Sequence, residues 1–549
     1  MTNLMYPFAY SKSIQKIFIC LLILCLFGNC SANSEKEKLN VLFIFCDDLN
    51  DSVEGMGGHV QAKTPNLNRL VEAGIQFTNA HSNNPVCGPS RASLWTGIHP
   101  ATSGYYGANQ NRNTWRHNAI LKDAVTVFEH FHANGYNVLG TGKIFHNNQQ
   151  TKELFKLQND SIEFGYGQSY GPFPWDGINN SISRTPHPKM QVKNWGKDGN
   201  ETDLPLSEVP DVKPDPEKGI PGYKGWRDMN RPFKYNSETD RDLMVDEKSA
   251  AWVIERLNRD FDGPFFMAVG IIRPHTPFVA PKKYFDMFPI EDIELPPYLE
   301  NDLDDCGEFI KEMKRKSSWY TRFERIREAF GDTLGWKMSV QSYLACVAFA
   351  DAQVGKILDT LEKSKYADNT VVVFSSDHGI HMGEKDMLIK KTPWEESTRV
   401  PLIIKVPGNK VQNKKCDHPI SLIDVYPTLV DICGLPEQPN LNTNNYNLDG
   451  NSLVPFLRNP VNGEWTGNNY VISCIEGNEP VEIGEQGKIE DQNFTIRTKK
   501  WRYILYKNGD EELYDHDKDP QEWHNVADDA EFAVIKKELK ETLLGAIKN

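Results

Sequence analysis

The segment Asn84-Pro85-Val86-Cys87-Gly88-Pro89-Ser90-Arg91-Ala92-Ser93 sets a Cys-x-Pro-x-Arg core before an apolar, helix-compatible stretch, residues 92 to 97. A side chain at a helix start meets unpaired backbone N–H groups and the positive end of the helix dipole, both of which stabilise an anion. The spacing therefore predicts a nucleophile at Cys87; the plain alternative is a buried cysteine in a loop. Asp47 and Asp48 are adjacent carboxylates, a costly like-charge pair unless a cation lies between them. Lys143 with His146, His275 in Arg273-Pro274-His275-Thr276-Pro277-Phe278, and Asp377-His378-Gly379 add further ionisable groups, followed by Lys390-Lys391. Taken singly, each has a surface-turn explanation.

What makes coincidence unattractive is where these groups fall. Residues 40–46, 136–142, 265–272 and 370–376 are apolar, β-rich runs of the kind found in a parallel sheet covered on both faces. Each ends directly in one of the charged groups, and open α/β sheets place their ligands at the carboxyl ends of strands. Helical spacing with start and stop signals predicts helices over 64–74, 124–135, 246–261 and 341–363, a charged helix over 303–327, and another from Ser421. A further strand is expected over 402–406, and the main unit is expected to close near Gly434. Residues 151–240, rich in Pro, Gly and Asn with aromatics at Trp175, Trp195, Tyr223 and Trp226, read as an insertion or lid loops. Its aromatics could stack on sugar rings or pack the insertion onto the body. After a connector over 435–464, short strands at 470–474, 493–498, 501–507 and 512–514 precede a final helix at 529–548. These predict an antiparallel-sheet subdomain over 465–549.

The chain has 549 residues and a formal net charge of -14, which argues against a nucleic-acid binder, since that role needs clustered cations. Lys12 and Lys16, the apolar run 17–27 and the small residues up to Ala32 have the layout of a secretory signal over 1–32. Cys30 as an acylated residue is the alternative, so a lipid anchor stays open, but no stretch is long and apolar enough for a membrane span. The chain is thus read as exported, periplasmic or secreted. Past the signal, Cys46, Cys87, Cys306, Cys346, Cys416, Cys433 and Cys474 remain, an odd number without Cys-x-x-Cys pairs. That indicates neither a zinc site nor a disulfide scaffold.

Through Asp47-Asp48, Cys87 to Arg91, Gly142-Lys143-Ile144-Phe145-His146, the Arg273 to Phe278 run, Asp377-His378-Gly379 and Lys390, the chain resembles the type I, formylglycine-dependent sulfatases, most closely their iduronate-2-sulfatase branch. Trp501-Arg502-Tyr503 and Glu512-Leu513-Tyr514-Asp515, through Asp519-Pro520 and Asn525, resemble that family's small C-terminal domain. The resemblance implies an α/β, alkaline-phosphatase-like large domain over 33–434, with a mostly parallel central sheet flanked by helices, and a small α+β domain behind it. It implies that a maturation enzyme oxidises Cys87 to formylglycine (3-oxoalanine). One hydroxyl of the aldehyde hydrate then attacks the sulfur of a sulfate ester, giving a covalent sulfo-enzyme intermediate. It also implies one Ca2+ held by Asp47, Asp48, Asp377, His378 and the modified Cys87. His378 stands where arylsulfatases commonly carry Asn. By the same resemblance, Arg91 and Lys143 position nucleophile and sulfate, His146 is the base for the elimination, and His275 and Lys390 contact sulfate and assist the leaving oxygen. Lys391 competes with Lys390, and counting back from Trp394 favours Lys390. The substrate expected is a sulfated saccharide, uronate-containing, such as ulvan or a glycosaminoglycan. The alternatives are a phosphodiester or phosphonate monoester hydrolase of the same wider group, and a decayed sulfated-glycan binding protein.

Overall fold

Strand Asn40–Cys46 runs through the middle of the molecule with all seven residues buried. It is flanked on both sides by parallel partners, Phe265–Gly270 and Thr370–Ser376. Outward from the first lie Asn137–Gly142 and Ile162–Gly167, both parallel. Outward from the second lie Arg399–Lys405, which runs antiparallel, and then Ile75–His81, antiparallel to that strand in turn. Short strands Lys414–Cys416 and Ile420–Ser421 pair with Ile75–His81 in parallel. In this nine-stranded sheet only Arg399–Lys405 runs against the rest, so the carboxyl ends of the other strands share one edge. The structure, a computed structural model, describes residues 38–107, 114–155, 162–174, 203–208, 225–229, 231–316, 320–440, 446–477 and 479–547. The expected signal at 1–32 with Cys30, and much of the expected insertion with Trp175, Trp195 and Tyr223, lie outside them.

Two apolar layers cover the sheet. On one face the 32-residue helix Asp332–Lys363 packs with Pro65–Glu72 and Val245–Leu257. On the other, Trp95 of helix Cys87–Thr96 lies edge-on to Phe43 at 4.9 Å between ring centres and tilts against Phe128 at 5.0 Å. Losing an aromatic of this kind costs about 3–5 kcal/mol, so the helix that carries Cys87 is firmly seated. Trp226 packs its part of the insertion inward, buried with its Nε1 donating to Leu206 O at 2.8 Å.

Several expected boundaries shift. The charged helix over 303–327 is two helices, Glu308–Lys316 and Arg322–Phe330. The long helix starts at Asp332, nine residues before position 341, because Gly335 lets its first turns lie against Ile326. The antiparallel sheet forms from Tyr470–Ile475, Asn493–Thr498, Trp501–Leu505 and Glu511–Asp515. Helix Ala533–Ile547 covers it through Leu539, Leu543 and Ile547.

This small sheet grips the loop between Lys390 and Thr398. Arg502, fully buried, donates to Pro393 O at 2.8 Å and Thr398 Oγ1 at 3.2 Å, and pairs with Glu395 and Glu522. Glu522 also accepts from Glu395 N at 2.9 Å and lies 2.8 Å from His516 Nε2. Trp394 Nε1 donates to Glu512 Oε2 at 3.0 Å. Buried charges are tolerated only when paired and hydrogen-bonded, and these are.

Candidate active site

Cys87 is the first residue of its helix and is buried, with Val86 as the extended residue before it and Gly97 ending the helix in the left-handed region at φ 68°. Its Sγ lies 3.2 Å from Lys390 Nζ and 3.3 Å from His378 Nε2. Burial opposes ionisation of the thiol, but Lys143, Lys390 and His378, with a hydrogen bond from His146, outweigh it and hold Cys87 well below its ordinary value. A negative charge at this position is stabilised from several sides.

The acid pair sits at the end of the central strand. Asp48 adopts φ 63°, a left-handed conformation that Asp tolerates better than most residues and that marks strain kept for a purpose. Tyr343, from the long helix, holds this turn by donating to Asp48 O at 2.9 Å and accepting from Asn50 N at 3.0 Å. Ser376 Oγ accepts from Leu49 N at 2.9 Å. Asp47 is ion-paired to Lys143, and Asp48 Oδ1 receives Lys390 Nζ at 2.6 Å. Burial would raise the Asp47 carboxyl, yet Lys143 drives it far below the carboxylate range. The same partners raise both lysines above their usual value against the effect of burial, so both stay cationic.

Lys143 reaches the site because its strand and the neighbouring one approach very closely. A Cβ on Gly142, whose φ is 76°, would stand 1.9 Å from Gly270 O. Arg91 is fully buried and faces three elements: Nε to Asp377 Oδ2 at 2.8 Å, Nη2 to Asp47 Oδ1 at 3.1 Å, and Nη1 to the carbonyls of Lys143 and Ile144. It is a strut between strand ends. Asp377 Oδ1 accepts from the backbone N–H groups of Asp48 and His378 at 3.2 and 3.0 Å. Burial, only partly offset by Arg91, raises Asp377 to about 7. For His378 burial acts downward, but Asp377 lifts it to about 9.

His275 brings Nε2 to 4.0 Å from Asp47 Oδ2 and 3.9 Å from Asp48 Oδ2. His146 is half-buried, and its Nδ1 has no hydrogen-bond partner among the described residues. Lys391, at φ 72°, turns away from Cys87 to pair with Glu476 at 2.8 Å. Asp47, Asp48, Cys87, Arg91, Lys143, His146, His275, Asp377, His378 and Lys390 therefore gather here, and Lys391 does not. Tyr343, Ser376 and Tyr170 join them without any signal in the sequence, because each acts through tertiary contact rather than motif. Ser90 does lie in the motif, and donates to Asp377 O at 2.5 Å.

One ligand atom each from Asp47, Asp48, Cys87 and His378 lies within 4.8 Å of the others. Metal–ligand distances of about 2.0–2.6 Å put opposite ligands about 4–5 Å apart, so this cluster is of a size to hold a divalent cation; Asp377 stands beside it, with Oδ2 3.7 Å from His378 Nε2. Glu395, His516 and Glu522 converge similarly, but Arg502 and Arg497 already supply their counter-charge.

Residues 39–435 match the family model described as Sulfatase, and 383–549 the one described as N-sulphoglucosamine sulphohydrolase, C-terminal. A Formosa agariphila protein named Sulfatase is 33% identical over 520 residues, covering 93% of this chain and 87% of that protein. Iduronate 2-sulfatase of Mus musculus is 26% identical, covering 92% and 94%. The crystal structure of the phosphonate monoester hydrolase of Agrobacterium radiobacter superimposes with a TM-score of 0.63 at 21% identity, over 93% of this chain and 95% of that one. At that identity the likeness is one of fold.

Proposed function

We propose, from the premise that the chain belongs to the sulfatase family and is a sulfuric ester hydrolase, that it is an exported enzyme removing sulfate from a uronate-containing saccharide, with Cys87 converted to formylglycine. The observation that carries this reading is the convergence of Lys390 and His378 on Cys87 at a helix start beneath the acid pair. The mammalian relative named iduronate 2-sulfatase supports a uronate-type sugar. Among the described residues no helix is long and apolar enough to cross a membrane.

In this reading one hydroxyl of the Cys87-derived hydrate attacks sulfur and the S–O bond to the sugar breaks. The second hydroxyl then loses its proton to His146, and its oxygen re-forms the aldehyde carbonyl as the bond to sulfate breaks. Splitting one displacement into two steps is the gain of covalent catalysis. Lys143 and Lys390 offset charge on the sulfuryl oxygens, and His275 donates to the departing oxygen. Fixed donors in a buried site stabilise such developing charge far better than water does. Asp47, Asp48 and His378, with Asp377 alongside and the modified Cys87, would hold a divalent cation, which would supply further charge neutralisation and acidify the attacking hydroxyl.

Mass spectrometry of the peptide spanning Cys87, from active enzyme made with the maturation system, tests the nucleophile: an unmodified thiol as the only form would overturn it. Sulfate release over a panel of defined sulfated oligosaccharides tests the substrate. Release only from sugars without a uronate would overturn that part, and preference for an aryl phosphonate over the aryl sulfate would favour the rival chemistry.

A further inference from the structure

Tyr170, three residues beyond strand Ile162–Gly167, enters the reaction centre from the edge of the sheet. Its ring centre lies 4.7 Å from that of His275, with the planes at 41°, and 5.0 Å from Lys143 Nζ. The backbone beneath it is tied to the loop that carries His275. Arg273, fully buried, donates Nη2 to Tyr170 O at 3.2 Å and Gly171 O at 3.1 Å, Nε to Val279 O at 2.8 Å and Nη1 to His275 O at 3.4 Å. That loop is anchored in turn, because Asp246 accepts from Ile272 N and Arg273 N at 2.7 and 3.0 Å.

His275 is thereby held at two points of different kind. Its Nδ1 lies 2.6 Å from Thr276 O, which fixes one edge of the imidazole and leaves Nε2 facing the acid pair. A single hydrogen bond lets a ring swing about its own axis; an aromatic face packed on the ring removes that freedom. We propose that Tyr170 is a positioning residue acting through His275, its ring fixing the imidazole plane so that Nε2 meets the departing oxygen, with Arg273 locking both to one loop. The ring does this, while the phenol oxygen interacts separately with Lys143 and accepts from Gln168 Nε2 at 3.5 Å. The inference rests on the reading of His275 as donor to the leaving oxygen.

A donor matters most when the leaving oxygen is basic, as in a sugar, and least for a stabilised phenolate. Full-length enzyme is therefore assayed on aryl sulfates with increasingly basic leaving groups. Tyr170→Phe, which keeps the ring, is expected to preserve the wild-type dependence of kcat on leaving-group basicity. Tyr170→Leu is expected to lower kcat about 10–100-fold on the most basic leaving group, and by less than about 3-fold on the least basic, with KM little changed, the size a misplaced donor produces. In a His275→Ala background, Tyr170→Leu should have no further effect. Equal loss on every substrate, a Phe variant as poor as Leu, or additive loss with His275→Ala would each overturn the proposal while leaving the sulfatase reading intact. If His275→Ala itself shows no leaving-group dependence, the assignment of His275 fails, and this inference with it.

Discussion

The candidate site around Cys87 and the junction around Arg502 are both buried clusters of ionised side chains, each with acidic groups close enough to hold an ion. At the junction the charges match and cancel: Arg502 and Arg497 are set against Glu395 and Glu522, His516 leans on Glu522, and Lys385 pairs with Asp302. At the reaction centre Lys390, Lys143 and His378 surround one atom, Cys87 Sγ, while Asp47 and Asp48 turn carboxylates toward the same place. Burial and charge density thus do not by themselves mark a catalytic site. Convergence on one reactive atom does, and the junction serves that convergence by gripping the loop that holds Lys390.

Four measurements sharpen or break this contrast. Cys87→Ala should abolish sulfate release, a loss on the order of 10⁴-fold or more, while the urea midpoint stays close to wild type because one small side chain is lost from a polar site. Arg502→Met should do the reverse. It leaves Glu522 buried without its main counter-charge and Glu395 with Arg497 as its remaining arginine, costing about 3–5 kcal/mol in urea unfolding, with turnover per folded molecule much less affected. Comparable activity loss in both variants would erase the distinction. Lys390→Ala should lower kcat about 10²–10³-fold, as for loss of a donor to developing charge. Lys391→Ala, whose side chain pairs with Glu476 and not with Cys87, should change it far less.

A further effect concerns pH. Burial would raise Glu522, but Arg502 and His516 depress it to about 2. A depressed carboxylate contributes stability that is complete above the unfolded value of about 4.5 and is lost as pH falls toward the folded value. Unfolding free energy should therefore drop between about pH 4.5 and 2, and Glu522→Gln should flatten that decline. An equally steep decline in the variant would assign the acid sensitivity elsewhere.

The strand ends were legible because continuous β-branched and aromatic runs such as Asn40–Cys46 and Thr370–Ser376 stop abruptly at charge. Lys390 could be told from Lys391 by its distance from Trp394. Strand Ile75–His81 was not, since Gln76, Thr78, Asn79 and His81 interrupt its apolar residues and its place in the sheet comes from pairing with strands far along the chain. The reversed direction of Arg399–Lys405 is equally invisible in composition: strand pattern carries periodicity, not polarity. Tyr343 looked like one more core residue of an amphipathic helix, and only tertiary contact brings its hydroxyl to Asp48. Tyr170 lay in a segment without periodicity, so nothing in the sequence separated it from its neighbours.

The pairing of the central strand has a consequence in time. Its two partners are contributed from 225 and 330 residues further along the chain. Contacts so remote in sequence close large loops before any is rewarded, which slows folding. Synthesis from the amino end must pass Ser376 before Asn40–Cys46 can be paired on both edges. A fragment ending short of Thr370 would leave that strand with an open apolar edge, the kind of surface on which unfinished chains aggregate.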